Sequence, residues 1–95
     1  MRQIEKRMVE AVENGINFYR DNTQVEQKSG NTYVYLFGNL IWKRDDGKES
    51  FTLHGWNSVT TRSRLNALLP KPLTTKNFIP YYGDSIIPVN EWVEA

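Results

Sequence analysis

Apolar residues near the start of the chain recur at Ile4, Met8, Ala11 and Val12, the spacing of one helical face, while Glu5, Lys6, Glu10 and Glu13 fall largely elsewhere. Gly15 follows Asn14 and accepts the left-handed conformation that closes a helix. The spacing therefore predicts a helix over Arg2–Asn14 that lays its apolar stripe on a sheet. From Ile16 onward the period shortens. Phe18–Arg20, Gln24–Gln27, Thr32–Phe37, Leu40–Arg44 and Glu49–His54 read as strands of a meander, divided by Asn, Gly and Asp turns.

Asp46-Gly47 suits a two-residue hairpin loop with positive φ at both positions. Counting outward sets Asp45 opposite Lys48, Arg44 opposite Glu49, Trp42 opposite Phe51 and Leu40 opposite Leu53, with opposite charges near the turn and apolar pairs further in. The same alternation places Val34 and Leu36 with Leu40 and Trp42 in the core and leaves Tyr33, Tyr35 and Phe37 on the second face. A bulge at Gly38-Asn39 would reverse that parity and send the three aromatics inward, and both readings stay open.

Thr60 or Thr61 can cap a second, shorter helix whose stripe is Leu65, Leu68 and Leu69, ended by Pro70. Beyond it, Phe78–Tyr82 and Ser85–Val89 flank Gly83-Asp84 as a hairpin that Pro80 and Pro88 confine to an edge, and a short strand lies near Glu91–Val93. The whole is an α+β chain, one domain over residues 1–95, with an antiparallel sheet of about five strands, one long N-terminal helix and one short helix.

At 95 residues, with 39% apolar, 24% charged and 13% aromatic side chains, the chain is long enough for one modest core and too aromatic for a disordered tail. The absence of cysteine excludes disulfides, thiol nucleophiles and thiolate metal sites. A single histidine, His54, stands on an expected strand without a nucleophile elbow, and it excludes most His-based zinc sites. Asp45, Asp46 and Asp84 occupy turns, where acids are expected for conformational reasons, and the six glycines are scattered rather than gathered in a phosphate-cradling loop. No catalytic residue, metal site or cofactor is expected, and the chain reads as a non-enzyme. No membrane span or signal-peptide core is apparent, so a cytoplasmic setting is expected.

Charge is uneven. Residues 1–49 carry eight cations and eight carboxylates, residues 50–76 carry Arg62, Arg64, Lys71 and Lys76 with no acid, and residues 77–95 carry three acids. Arg62 and Arg64 would stand at the start of the second helix, where the backbone is already partly positive. An anion or a partner's carboxylate held by Thr60, Thr61, Arg62, Arg64 and Asn66 would offset that; the arginines could equally reach water or pair with acids elsewhere in the fold. Tyr33, Tyr35 and Phe37 form a second candidate surface if they face outward, since exposed aromatics on a sheet can stack bases. Trp56, after Gly55, is expected to seal the corner between sheet and helix.

The run from Gly55 to Leu69 (GWNSVTTRSRLNALL), with Asn22-Thr23 and Gly38-Asn39-Leu40-Ile41, resembles small proteins of tailed bacteriophages and prophages over about residues 22–69. The resemblance brings no activity, cofactor or catalytic residue. It implies expression inside an infected or lysogenic bacterium, where small non-enzymatic proteins act by binding host machinery. The expected function is a non-catalytic accessory protein that binds or regulates a host macromolecule, foremost a protein. The alternative is a small nucleic-acid-binding module that uses Arg62, Arg64, Lys71 and Lys76 with the tyrosine face, and the oligomeric state stays open.

Overall fold

The computed structural model describes all 95 residues, and its accessible surface of 5820 Å² is close to the roughly 5,700 Å² that a chain of this mass should retain. Helix α1 spans Gln3–Asn14, about 18 Å of rise, and ends at Gly15 with φ 64°. Its buried stripe is Glu5, Met8, Ala11 and Val12. Ile4 is only half-buried, because the helix turns Glu5 inward toward an arginine described below.

Strands β1 (Phe18–Arg20), β2 (Thr23–Lys28), β3 (Asn31–Leu36), β4 (Asn39–Asp45) and β5 (Lys48–Phe51) form an antiparallel meander. Helix α2 (Val59–Asn66) follows, then β6 (Leu73–Lys76), β7 (Ile79–Tyr82) and β8 (Ser85–Ile86), which make a three-stranded sheet of their own. The last strand, β9 (Val93–Glu94), returns to the edge of β5 and completes a six-stranded sheet in the order β1-β2-β3-β4-β5-β9. The expected sheet of about five strands is thus six-stranded, and the C-terminal hairpin gains β6 to make a second sheet. Strand β6 carries only one inward apolar residue, Leu73, so its alternation is too weak to read in isolation.

The expected β4–β5 register holds from Asp45↔Lys48 to Trp42↔Phe51. The Thr52 N–H still donates to the Ile41 carbonyl at 2.9 Å, and the expected Leu40–Leu53 pair lies past the end of β5. Val34 faces Trp42 while Tyr35 faces Leu40, so Ile41 is a bulged extra residue, and Ile41 rather than Leu40 turns into the core beside Trp42. The bulge therefore lies within β4 and not at Gly38-Asn39, and the β3–β4 loop is Phe37-Gly38. With the inversion confined to β4, Tyr33 and Tyr35 stay half-buried on the outer face.

Directly opposed residues share a face, and the pairings Phe18↔Val25, Val25↔Val34, Val34↔Trp42, Trp42↔Phe51 and Phe51↔Val93 draw one apolar row across all six strands. Met8, Ala11 and Val12 of α1, Leu65 of α2, and Leu73 and Tyr82 of the small sheet join this row in one buried cluster. The Tyr82 ring meets Phe51 edge-on at 4.9 Å.

Pro80 lies in the central strand of the small sheet, not at an edge. The fold tolerates it because the ladder stops there: Ile87 donates its N–H to the Pro80 carbonyl at 3.1 Å, and the reciprocal bond that proline cannot supply marks the end of pairing with β8.

Candidate functional site

The helix start differs from expectation at its cap. Ser58, not Thr60 or Thr61, caps α2, accepting the Thr61 N–H at 3.2 Å and sharing a 2.9 Å hydrogen bond with the Thr61 hydroxyl. Thr60 is then half-buried in the first turn and Thr61 is buried. Arg62 donates from Nη1 to the Asn57 carbonyl at 3.0 Å and to Asn57 Oδ1 at 2.6 Å. Arg64 falls in the last turn, where a cation is favoured by the helix dipole instead of opposed by it.

Arg64 is only 4% exposed. Its Nη1 donates to Glu5 Oε2 at 2.8 Å, its Nε to the Thr23 hydroxyl at 3.0 Å and its Nη2 to Asn22 Oδ1 at 3.3 Å. The Ser63 hydroxyl also donates to Glu5 Oε2, and the Arg2 amide donates to Oε1 at 3.3 Å. Burial pushes the Glu5 carboxyl up, but the bonds from Ser63, Arg2 and Arg64, with the Arg64 charge, outweigh it and hold the group below its ordinary value. Arg64 therefore belongs to the interior, tying α1, β2 and α2 together. Asn66 is engaged as well: it accepts the Leu73 N–H at 2.7 Å and donates to the Leu73 carbonyl at 2.9 Å. Thr60, Thr61, Arg62, Arg64 and Asn66 are thus not brought together on one exposed anion-facing surface.

The outer face of the large sheet carries Tyr33 and Tyr35, with the Tyr35 hydroxyl donating to Glu26 Oε1 at 3.3 Å. Burial, and then the Glu26 charge, raise the Tyr35 phenol above its ordinary value. Lys43 lies 4.4 Å over the Trp92 ring on the same face. By strand alternation, Lys28, Lys43 and Lys48 share this face with Glu26, Asp45 and Glu94, so its charges balance.

A concave apolar site lies at the end of the sheet that carries the β3–β4 turn. Leu36, Ile41 and Leu53 form its floor, and Phe37 and Trp56 stand at its sides with 70% and 64% of their surfaces exposed. Its volume is about 290 Å³. Asn39 and His54 complete the rim, and neither side chain is spent on a hydrogen bond within the protein. Trp56 does not seal the corner as expected, because Leu53, His54, Gly55 and Trp56 form a tight turn closed by Trp56 N–H to Leu53 O at 2.9 Å, which swings the indole outward. His54 sits at φ 53° in that turn and not on a strand. The inward bulge at Ile41 supplies part of the floor, and the strand pattern contains no signal for it.

No group of three or more His, Cys, Asp or Glu side chains is placed to hold a metal ion, and no helix is long and apolar enough to cross a membrane. Neither the curated proteins nor the solved structures contain a match to this chain. A family model does match, over residues 1–94, and it takes in the N-terminal helix and the C-terminal strands that lay outside the resemblance noted from the sequence. The chain accordingly belongs to the Kyanoviridae Gp96 protein family, a family of phage proteins.

Proposed function

We propose that this protein is a non-catalytic accessory factor that a phage deploys in the cytoplasm of its bacterial host to bind and regulate a host protein. The observation that carries the reading is the apolar site between Phe37 and Trp56, where two large aromatics stay in water beside a floor of Leu36, Ile41 and Leu53. Aromatic anchors around a desolvated pocket are the usual energetic centre of a protein interface. The balanced charge of the tyrosine face and the internal engagement of Arg64 give less support to a nucleic-acid module, which needs a net cationic track along the phosphates.

The test is a tagged pull-down from bacterial lysate, with and without nuclease, comparing the wild-type chain with Phe37→Ala/Trp56→Ala. A discrete protein that survives nuclease, stays bound between about 50 and 200 mM salt, and is lost with the double variant is the expected result. Retention of nuclease-sensitive material alone, equal for both chains, would overturn the reading.

A further inference from the structure

The hairpin tips of this fold hold an anomaly. Two-residue turns in which both φ angles are positive favour Asn, Asp and Gly, and the turns Ser29-Gly30 and Asp46-Gly47 use small or polar residues at the first position. Phe37 occupies that position at φ 52°, and Phe78 follows Asn77 at φ 66° in the β6–β7 turn. A bulky side chain on left-handed backbone is sterically disfavoured. Packing in the fold does little to offset it, since Phe37 is largely exposed and Phe78 is 96% exposed. Strain held at exposed aromatics points to a use outside the folded chain.

The two tips are not isolated from the pocket. Asn57, next to Trp56, donates from Nδ2 to the Phe78 carbonyl at 3.2 Å and to the Thr75 hydroxyl at 3.1 Å, while its Oδ1 accepts from Arg62. Through Asn57 the Trp56 loop, which borders the pocket, shares a hydrogen-bonded surface with the β6–β7 tip and with the Arg62 guanidinium, itself part of a separate concavity lined by Glu5, Val59 and Ser63. We propose that this surface recognises an acidic segment of a partner protein, seating one aromatic or branched aliphatic side chain between Phe37 and Trp56 and setting its carboxylates against Arg62 and Lys76. The proposal rests on the protein-binding reading above and adds the chemistry of the occupant.

Size and charge select that occupant. At about 290 Å³ the pocket lies at the lower limit for small-molecule sites, which suits a single inserted side chain. From Ser50 to Gly83 the chain has no carboxylate and four cations, of which Glu5 neutralises only Arg64. Asp21, near Phe37, lies 4.0 Å from Arg20 and brings its own counter-ion. A second copy of this chain docked on the same face would oppose Arg62 and Lys76 to themselves, whereas an acidic segment complements them.

The test uses acetylated, amidated peptides Glu-Asp-Phe-Asp-Glu, Glu-Asp-Ala-Asp-Glu and Lys-Lys-Phe-Lys-Lys, titrated into the labelled full chain and followed by the indole N–H signals of Trp42, Trp56 and Trp92 and the methyls of Leu36, Ile41 and Leu53. The acidic phenylalanine peptide should shift Trp56 and the three methyls while leaving Trp42 unmoved. The alanine and lysine peptides should bind at least about tenfold more weakly, and Lys76→Glu should weaken the acidic peptide on the order of fivefold. Phe37→Asn suits its turn better than the native residue, so it should fold and yet lose the peptide. Equal binding of the lysine peptide, shifts confined to Trp92 beside Lys43 on the tyrosine face, or concentration-dependent self-association abolished by Phe78→Gly would each overturn the proposal. If the pull-down holds a protein through Phe37 and Trp56 while the acidic peptide moves none of these signals, the acidic-segment assignment fails and the protein-binding reading stands.

Discussion

Replacing Arg64 by alanine removes the cation from a buried carboxylate and takes a donor from Thr23 and from Asn22. Breaking a buried ion pair from one side costs about 3–5 kcal/mol, because the remaining charge is left without its partner. Here Glu5 keeps the Ser63 hydroxyl and the Arg2 amide, so the lower end, about 3 kcal/mol, is expected. A chain of this length has roughly 5–14 kcal/mol of stability in all, so the loss should lower Tm by at least about 12 °C. The double replacement Glu5→Leu/Arg64→Met removes both charges and should lie within about 1 kcal/mol of wild type, since apolar substitutes for a buried pair are often neutral. Urea unfolding of wild type, Glu5→Leu, Arg64→Met and the double replacement, followed by tryptophan fluorescence, measures the coupling directly. If Arg64→Ala costs less than about 1 kcal/mol, or if sulfate stabilises wild type and not this variant, Arg64 faces solvent anions and the interior assignment is wrong.

The same pair sets an acid response. Glu5 titrates below its ordinary value of 4.5 in the folded chain, so the unfolded chain binds more protons in that window; stability should fall as pH drops through it, and the Glu5→Leu/Arg64→Met chain should show a shallower fall in a Tm series from pH 3 to 7. Phe51→Ala should cost about 3–5 kcal/mol in urea unfolding, since Phe51 stands in the apolar row and packs edge-on against Tyr82. Gly55→Ala places a Cβ 2.7 Å from Asn90 Oδ1 on backbone at φ 81°, so Tm should drop and the Trp56 indole signal should move. Phe37→Asn should raise stability by about 1 kcal/mol by relaxing the turn, a gain that thermal unfolding reads and that the loss of peptide binding should accompany.

Features governed by neighbouring residues were legible in the sequence. The α1 stripe, its Gly15 stop and the Asp46-Gly47 register follow from local periodicity and turn chemistry, and each appears in the fold apart from the exchange of Ile4 for Glu5. What stayed hidden depends on distant partners. Arg64 reads as a helix-start cation until Glu5, 59 residues earlier, is seen beside it, and that partner also decides which face of α1 turns inward. The Ile41 bulge shifts one strand by one residue with no glycine to announce it, and it makes part of the pocket floor. Ser58 gives no stronger cap signal than the two threonines, which stand closer to the leucine stripe.

The interior pairings of Asn66 have a further consequence at the borders of the sheets. A partner that extends a sheet needs a row of free backbone donors and acceptors along an edge strand. Here β1 offers three residues, β8 and β9 two each, and at β6 both polar groups of Leu73 are already occupied by the Asn66 amide, which acts as a one-residue false strand. Short or occupied borders of this kind discourage edge-to-edge stacking. A partner of the kind proposed above would then have to be held through side chains, the exposed aromatic tips among them.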